Sequence, residues 1–255
     1  MKNNRPSADE TLDEFHRGQV RVIQSKTGYR FALDAPLLAD FMEIEAGDEV
    51  LELGTGNGII PLLLGARPFR LLIALEIQAK PAALARRNVA LNGLRGRVRI
   101  VRTDFRSYRP GRRFDVVFSN PPYIKIRTGC LSPSGEKSIS KHELSCDLDE
   151  VMRVSAELLK PDGRGYFIYP AVRADELRTV AAARGLGVRV SRLVRPRAGD
   201  PPAFVLVRLG FGPGRERKRR ALTLKTSTGA DTAEARRIYE GKPRTGGPGR
   251  NRDRA

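Results

Sequence analysis

The chain has 255 residues, enough for one α/β domain with a buried core and too few for two large domains and a linker. Its 47 Lys and Arg against 29 Asp and Glu give a formal net charge of +18, a field that attracts polyanions before any specific contact forms and makes nucleic acid the leading partner. Cys130 and Cys146 show no C-x-x-C pair and no His at ligand spacing, which argues against a disulfide framework or a zinc site and fits a reducing compartment. The first 14 residues lack the apolar run of a signal peptide, and no segment approaches the roughly 18 apolar residues of a membrane span. The expectation is a cytoplasmic protein with no membrane partner and no metal.

In chain order, residues 1–13 are polar and expected to be uncompacted. Residues 19–24, a turn at Ser25-Lys26-Thr27-Gly28 and residues 29–31 read as a β-hairpin, after which Asp34 caps a helix with Pro36 in its first turn. Short apolar runs at 49–53, 71–75, 98–101, 114–118, 165–169, 187–194 and 204–209 read as seven strands. Helical patterns fall between them at 59–64, 81–91, 148–159 and 172–184, the alternation of a parallel sheet wound by crossover helices. Asn92-Gly93 and Pro161-Asp162-Gly163 stop the second and third of these helices. Beyond Gly210 the composition turns to Arg, Lys, Gly, Pro and Thr, with 13 Lys or Arg against 5 Asp or Glu in residues 211–255. The expected division is therefore a flexible start over 1–13, one folded unit over 14–210 and a basic, disordered tail over 211–255, in which 231–240 reads as one short helix.

The strand ending at Leu53 runs into Gly54-Thr55-Gly56-Asn57-Gly58 and then a helix. Glycines at Gly54, Gly56 and Gly58 let the backbone turn sharply and approach a ligand at the carboxyl edge of the sheet, where α/β proteins bind cofactors. The next strand ends in Glu76, a carboxylate placed to accept from both hydroxyls of a ribose. The one after ends in Asp104, placed to accept from an adenine amino group, with Phe105 beside it as a stacking surface. Three strand-end features in this order fit S-adenosylmethionine (AdoMet) better than a dinucleotide, because the spacing is G-x-G-x-G and the acidic Glu52 suits a sulfonium cation rather than a pyrophosphate.

The fourth strand ends in Ser119-Asn120-Pro121-Pro122-Tyr123-Ile124-Lys125. Each proline fixes its own φ and restricts the residue before it, so the side-chain amide of Asn120 and the backbone carbonyl of Pro121 are held in advance as a rigid pair of acceptors. Gripping the two hydrogens of an adenine amino group, such a pair favours the pyramidal nitrogen that attacks a methyl group in line, by electrostatic preorganisation and without a general base. Asn120, Pro121 and Tyr123 are the expected catalytic residues. Pro122, Tyr123 and Lys125 are expected on the substrate side, with Tyr123 as a flat face for the target base. His142 reads as bracing a Gly/Ser-rich substrate loop and His16 as an ordinary surface residue.

With these residues quoted, the sequence resembles the class I amino-methyltransferases that carry an N-P-P-Y motif. Within them it is most similar to the tRNA(Val) adenine-N6 methyltransferases, through Gln24, Gly28 to Phe31, Asp34 to Leu38, Leu51 to Gly58, Glu76, Asp104 and Asn120 to Tyr123. The resemblance implies a Rossmann-like class I AdoMet-dependent fold with a seven-stranded sheet whose last strand is antiparallel. It also implies that the Gly54 loop holds the methionine part of AdoMet, Glu76 the ribose and Asp104 the adenine, and that the product is N6-methyladenine in tRNA beside the anticodon. The alternatives are a protein-glutamine N5 methyltransferase, which shares the motif, and a non-catalytic RNA-binding module on the same scaffold. The long basic tail departs from the family pattern.

Overall fold

The computed structural model describes residues 5–26, 34–121 and 148–243. After the hairpin strands β1 (Glu10–Phe15) and β2 (Val20–Ser25) and helix α1 (Asp34–Phe41), the chain alternates as the apolar runs predict. β3 (Glu49–Leu53), α2 (Ile59–Leu63), β4 (Leu71–Glu76), α3 (Ala79–Leu91), β5 (Val98–Arg102) and β6 (Phe114–Ser119) form one half. α4 (Leu148–Leu158), β7 (Leu159–Pro170), α5 (Ala174–Ala183), β8 (Leu186–Arg197) and β9 (Phe204–Phe211) form the other. The seven expected strands lie in the order β8-β9-β7-β6-β3-β4-β5, all parallel except β9, which runs antiparallel to both β7 and β8. Near-continuous apolar runs such as Val116, Val117 and Phe118 follow from this: a central strand is covered on both faces, so both sets of its side chains are buried.

One core packs α1, α2 and the hairpin on one face of the sheet, and the other packs α4 and α5 on the opposite face. α3 ends where the sequence places its stop, with Gly93 at φ 68°, a left-handed conformation that a side chain would strain. α4 ends at Leu158 and β7 begins at once; the Pro161-Asp162-Gly163 stretch is absorbed by a register shift opposite Phe114 and Val116.

Two expectations about the ends of the chain are corrected. β2 pairs with the upstream β1, Glu10 opposite Ser25 and Phe15 opposite Val20, a partner the sequence reading left out; residues 29–31, the expected partner, lie outside the described residues. Its turn uses His16 and Arg17 at φ 49° and 56° followed by Gly18. Charged residues interleaved through Glu10-Thr11-Leu12-Asp13-Glu14-Phe15 hide a strand that is only half-buried, so the compact part of the chain starts before residue 14. The Arg87 guanidinium reinforces this by bonding both oxygens of Glu10, at 2.6 and 2.9 Å, which holds that carboxyl below its ordinary range.

Residues 211–243 are likewise not a disordered tail. β10 (Arg217–Lys218) and β11 (Leu222–Lys225) add to β8 in parallel, making a nine-stranded sheet, and α6 (Ala233–Tyr239) follows, capped by Thr232. Leu222, Leu224, Ala235 and Ile238 are buried in the same core as α1 and α2. Arg237 bonds both oxygens of Asp40 on α1 at 2.8 and 2.9 Å. Composition misleads here because a few well-spaced apolar residues anchor a segment that is otherwise Arg, Lys and Thr.

Candidate active site

The carboxyl ends of β3, β4, β5 and β6 meet on one edge of the sheet, and the sequence-predicted residues of the described segments lie there. The loop after β3 is built on hydrogen bonds from its own backbone: the amides of Gly54 and Thr55 both donate to the Leu75 carbonyl of β4, at 3.1 and 2.9 Å. Gly58 has φ 85°, and a Cβ placed on it would sit 3.1 Å from the Cβ of Ala85, so this glycine serves the close approach of α3 to the loop as well as the turn.

Glu76 is buried, and its carboxylate already shapes the loop. Oε2 accepts from the Gly56 amide and Oε1 from the Gln78 amide, both at 2.8 Å. Each oxygen keeps a second lone pair for a ligand hydroxyl. Glu52, 1 % exposed, is a second buried acid at this edge; its Oε2 and the hydroxyl of buried Thr55 have no close hydrogen-bond partner among the described residues. Burial, partly offset by the nearby Thr55 hydroxyl and reinforced by the Glu76 charge, pushes the Glu52 carboxyl up to about 8.

That elevation has a measurable consequence. Between the ordinary value of 4.5 and about 8 the carboxyl is protonated in the fold and ionised in the unfolded chain, so stability falls as pH rises through this window. The slope is at most about 1.4 kcal/mol per pH unit. Denaturant unfolding at pH 5 and pH 9 is expected to show Glu52→Gln gaining on the wild type at the higher pH. A difference that stays constant with pH would mean that Glu52 ionises normally.

Asp104 stands at the end of β5, where its side chain caps the short 3₁₀ turn Phe105–Ser107 through the Arg106 amide. The Arg106 side chain also bonds both of its oxygens at 2.6 to 2.9 Å, and this pairing lowers the Asp104 pKa. Its acceptor positions are therefore filled by Arg106, which reaches on to Glu150. Phe105 packs, half-buried, on the core beneath α4.

β6 lies beside β3, with Glu52 opposite Phe118, and the Ser119 hydroxyl donates 2.7 Å to the Leu53 carbonyl, tying the two strand ends together. Asn120 thus emerges one strand spacing, about 4.8 Å, from the glycine loop. Pro121 beside it is buried. Pro122, Tyr123 and Lys125, with His142, lie outside the described residues.

The comparisons decide which family this arrangement belongs to. Residues 22–130 match the methyltransferase small domain. A tRNA1(Val) (adenine(37)-N6)-methyltransferase from Bacteroides thetaiotaomicron is 30% identical over 199 residues, spanning 77% of this chain and 83% of the relative. The chain belongs to the tRNA1(Val) (adenine(37)-N6)-methyltransferase family. Relatives of the same name from Parabacteroides distasonis and Tolumonas auensis are 27% and 25% identical, over 83% and 80% of this chain and 89% and 83% of theirs. Among solved structures, a predicted O-methyltransferase from Agrobacterium tumefaciens matches with a TM-score of 0.64 at 19% identity, covering 82% of this chain and 96% of that one. A methyltransferase from Pyrococcus furiosus matches at 0.53 and 19%, covering 75% and 89%. At such identities the likeness is one of fold, the α/β class I methyltransferase fold.

Three residues of this methyltransferase have positioning roles that the sequence does not assign, although Gln24 carries part of the resemblance and Asn92 marks the end of α3. Asn88, fully buried on α3, accepts from the Ile23 amide at 2.7 Å and donates to the carbonyls of Ile23 at 3.0 Å and Asn57 at 2.9 Å, so one amide joins the hairpin, α3 and the glycine loop. Gln24 accepts from the Asn57 side chain at 3.4 Å and donates to Asp13. Asn92 pairs with both backbone groups of Arg21, at 2.9 and 2.7 Å, as a neighbouring strand would. The available signal was an asparagine in the buried row Ala82, Ala85, Asn88, where an unpartnered amide would be costly. Among the described residues no group of three or more His, Cys, Asp or Glu is placed to hold a metal ion, and no helix is long and apolar enough to cross a membrane.

Proposed function

We propose that the protein transfers the methyl group of AdoMet to the exocyclic N6 amino group of an adenine in tRNA, the adenine(37) of tRNA1(Val) that its relatives' names give. The observation that carries this reading is the juxtaposition of Asn120 and the glycine loop, locked by the Ser119 to Leu53 hydrogen bond. The donor set fits AdoMet: Glu52 Oε2 and the Thr55 hydroxyl are neighbouring buried polar atoms with no close hydrogen-bond partner among the described residues, and Glu76 has lone pairs left for ribose hydroxyls. AdoMet supplies an electrophilic methyl on a sulfonium.

Gly54, Gly56 and Gly58 give the loop its close approach, Glu52 offers negative charge once a cation draws off its proton, and Glu76 holds the ribose. Asp104 and Phe105 receive the adenine of AdoMet, with the exposed Arg106 side chain moving aside to free acceptor positions on Asp104. Asn120 and the Pro121 carbonyl grip the two amino hydrogens of the target adenine, while Pro122, Tyr123 and Lys125 hold the base and its backbone. The amino proton is lost to solvent after transfer, so no side-chain base is needed.

Glu76→Ala removes the ribose acceptors and the support of the Gly56 amide together. Calorimetry is expected to show AdoMet affinity reduced by about 1.5–3 kcal/mol, the range for a charged hydrogen-bond partner. Unchanged affinity would take Glu76 out of the site. The substrate is tested by offering the purified protein labelled AdoMet with three acceptors: an unmodified valine tRNA transcript, the same transcript with guanine in place of the target adenine, and a glutamine-containing protein substrate. Label in the first alone supports the proposal; label in the protein acceptor overturns it.

A further inference from the structure

The cofactor reading places AdoMet over β3, β4 and β5, with Asn120 at the end of that row, so a large substrate has to approach from the β7, β9 and β8 side. That side ends in the chain's own C-terminal edge strands. From Arg215 to Arg220 the two partly buried residues act as anchors: Glu216 bonds Arg178 at 3.1 Å and also Ser191, and Arg219 pairs with Glu43 and lies over the Phe41 ring. The Arg220 carbonyl adds a hydrogen bond from Arg192 at 3.0 Å. Arg215, Arg217, Lys218 and Arg220 are exposed, and none of the four is in an ion pair among the described residues. The single acid of the segment is already neutralised by Arg178, so the outer row is uniformly positive.

The row also has a direction. β10 and β11 run parallel to β8, with Arg217 opposite Val190 and Lys225 opposite Arg197, so the cations climb along the sheet edge toward the carboxyl rim that bears Asn120. Four strand spacings, about 19 Å, separate this edge from β6.

We propose that Arg215, Arg217, Lys218 and Arg220 form a rail for the phosphate backbone of the RNA substrate, holding the nucleic acid on the substrate side of the sheet while one base enters at Asn120. The inference rests on the tRNA reading and adds to it a binding surface made by the ordered C-terminal strands. Phosphate contacts of this kind position the substrate without reading sequence, so they act on affinity and its salt dependence and leave the chemical step alone.

The test neutralises the rail with Arg215→Gln, Arg217→Gln, Lys218→Gln and Arg220→Gln in one full-length variant, and neutralises four exposed arginines near the opposite sheet edge (Arg86, Arg95, Arg99 and Arg102, each to Gln) in another. tRNA affinity is measured across potassium chloride concentrations, with kcat at saturating tRNA, AdoMet affinity and melting temperature alongside. The rail variant is expected to bind tRNA about tenfold or more weakly at low salt, with a log–log salt slope shallower by up to about 3, at 0.7 to 0.9 per contact. Its kcat, AdoMet affinity and melting temperature stay at wild-type values, and the opposite-edge variant keeps the wild-type slope. If the wild type methylates tRNA and the rail variant keeps its affinity and slope, the rail is overturned and the four cations serve only to block edge-to-edge pairing. A wild type that transfers no methyl to tRNA removes the substrate reading, and the rail with it.

Discussion

Asn120→Ala is expected to bind AdoMet as the wild type does and to turn over at least about a hundredfold more slowly. In the proposed mechanism the side chain is one of two acceptors for hydrogens that must be gripped only as the amino nitrogen pyramidalises. Its loss falls on the transition state rather than on ground-state binding of the cofactor, and removing one preorganised hydrogen-bonding group from such a site typically costs about 10²–10³ in rate. The cofactor loop keeps its hydrogen bonds to the Leu75 carbonyl, Glu76 and Asn88 in this variant, so AdoMet binding is expected to persist. Single-turnover rates and AdoMet titration of the same variant separate the two effects. Near-wild-type methyl transfer would refute the acceptor-pair mechanism, and loss of AdoMet binding would make Asn120 a structural residue of the loop.

A chain ending at Pro213 is expected to lose most of its stability. The deletion strips β10, β11 and α6, and with them the buried Leu222, Leu224 and Ile238, each worth about 1.5–3 kcal/mol when removed from the core. It also takes Arg237 from Asp40, a bidentate pair in which both side chains are largely buried, at 14% and 10% exposed. The total is comparable with the roughly 5–15 kcal/mol that holds a domain together. The melting temperature should fall by about 10 °C or more, at roughly 2–4 °C per kcal/mol for a chain of this size, or the truncated protein should fail to fold. An unchanged melting temperature would mean that the segment is an appendage. Because the deletion disturbs the core, point neutralisation, not truncation, is the proper probe of RNA binding by this segment.

The parts of the molecule legible in the sequence are those where one physical demand dominates. Val50, Leu51, Val116, Val117 and Phe118 are apolar because both faces of a central strand are covered. Gly54, Gly56 and Gly58 stand out because glycine adopts those left-handed conformations, at φ 78°, 58° and 85°, without the strain a Cβ brings. Glu76 and Asp104 are found from their place at strand ends. The structure adds what they do before any ligand arrives, one fastening the loop amides and the other paired with Arg106.

Illegible were the places where two demands compete. β1 alternates charge with half-buried apolar residues, and its turn takes positive φ at His16 and Arg17 instead of the usual turn residues. Residues 211–243 are dominated by exposed cations, yet Leu222, Leu224 and Ile238 suffice to dock them. Asn88 is marked only as an asparagine in a buried helix row: its partners appear when the hairpin, α3 and the loop come together, a tertiary event that no local pattern records.

The central claim is that Asn120 and its neighbours methylate an adenine of tRNA. It is tested most directly by mass spectrometry of nucleosides from tRNA of cells lacking the protein, complemented with the wild type or with Asn120→Ala. The account predicts N6-methyladenine in purified valine tRNA restored by the wild type and absent with the variant. Equal N6-methyladenine in all three strains would contradict it.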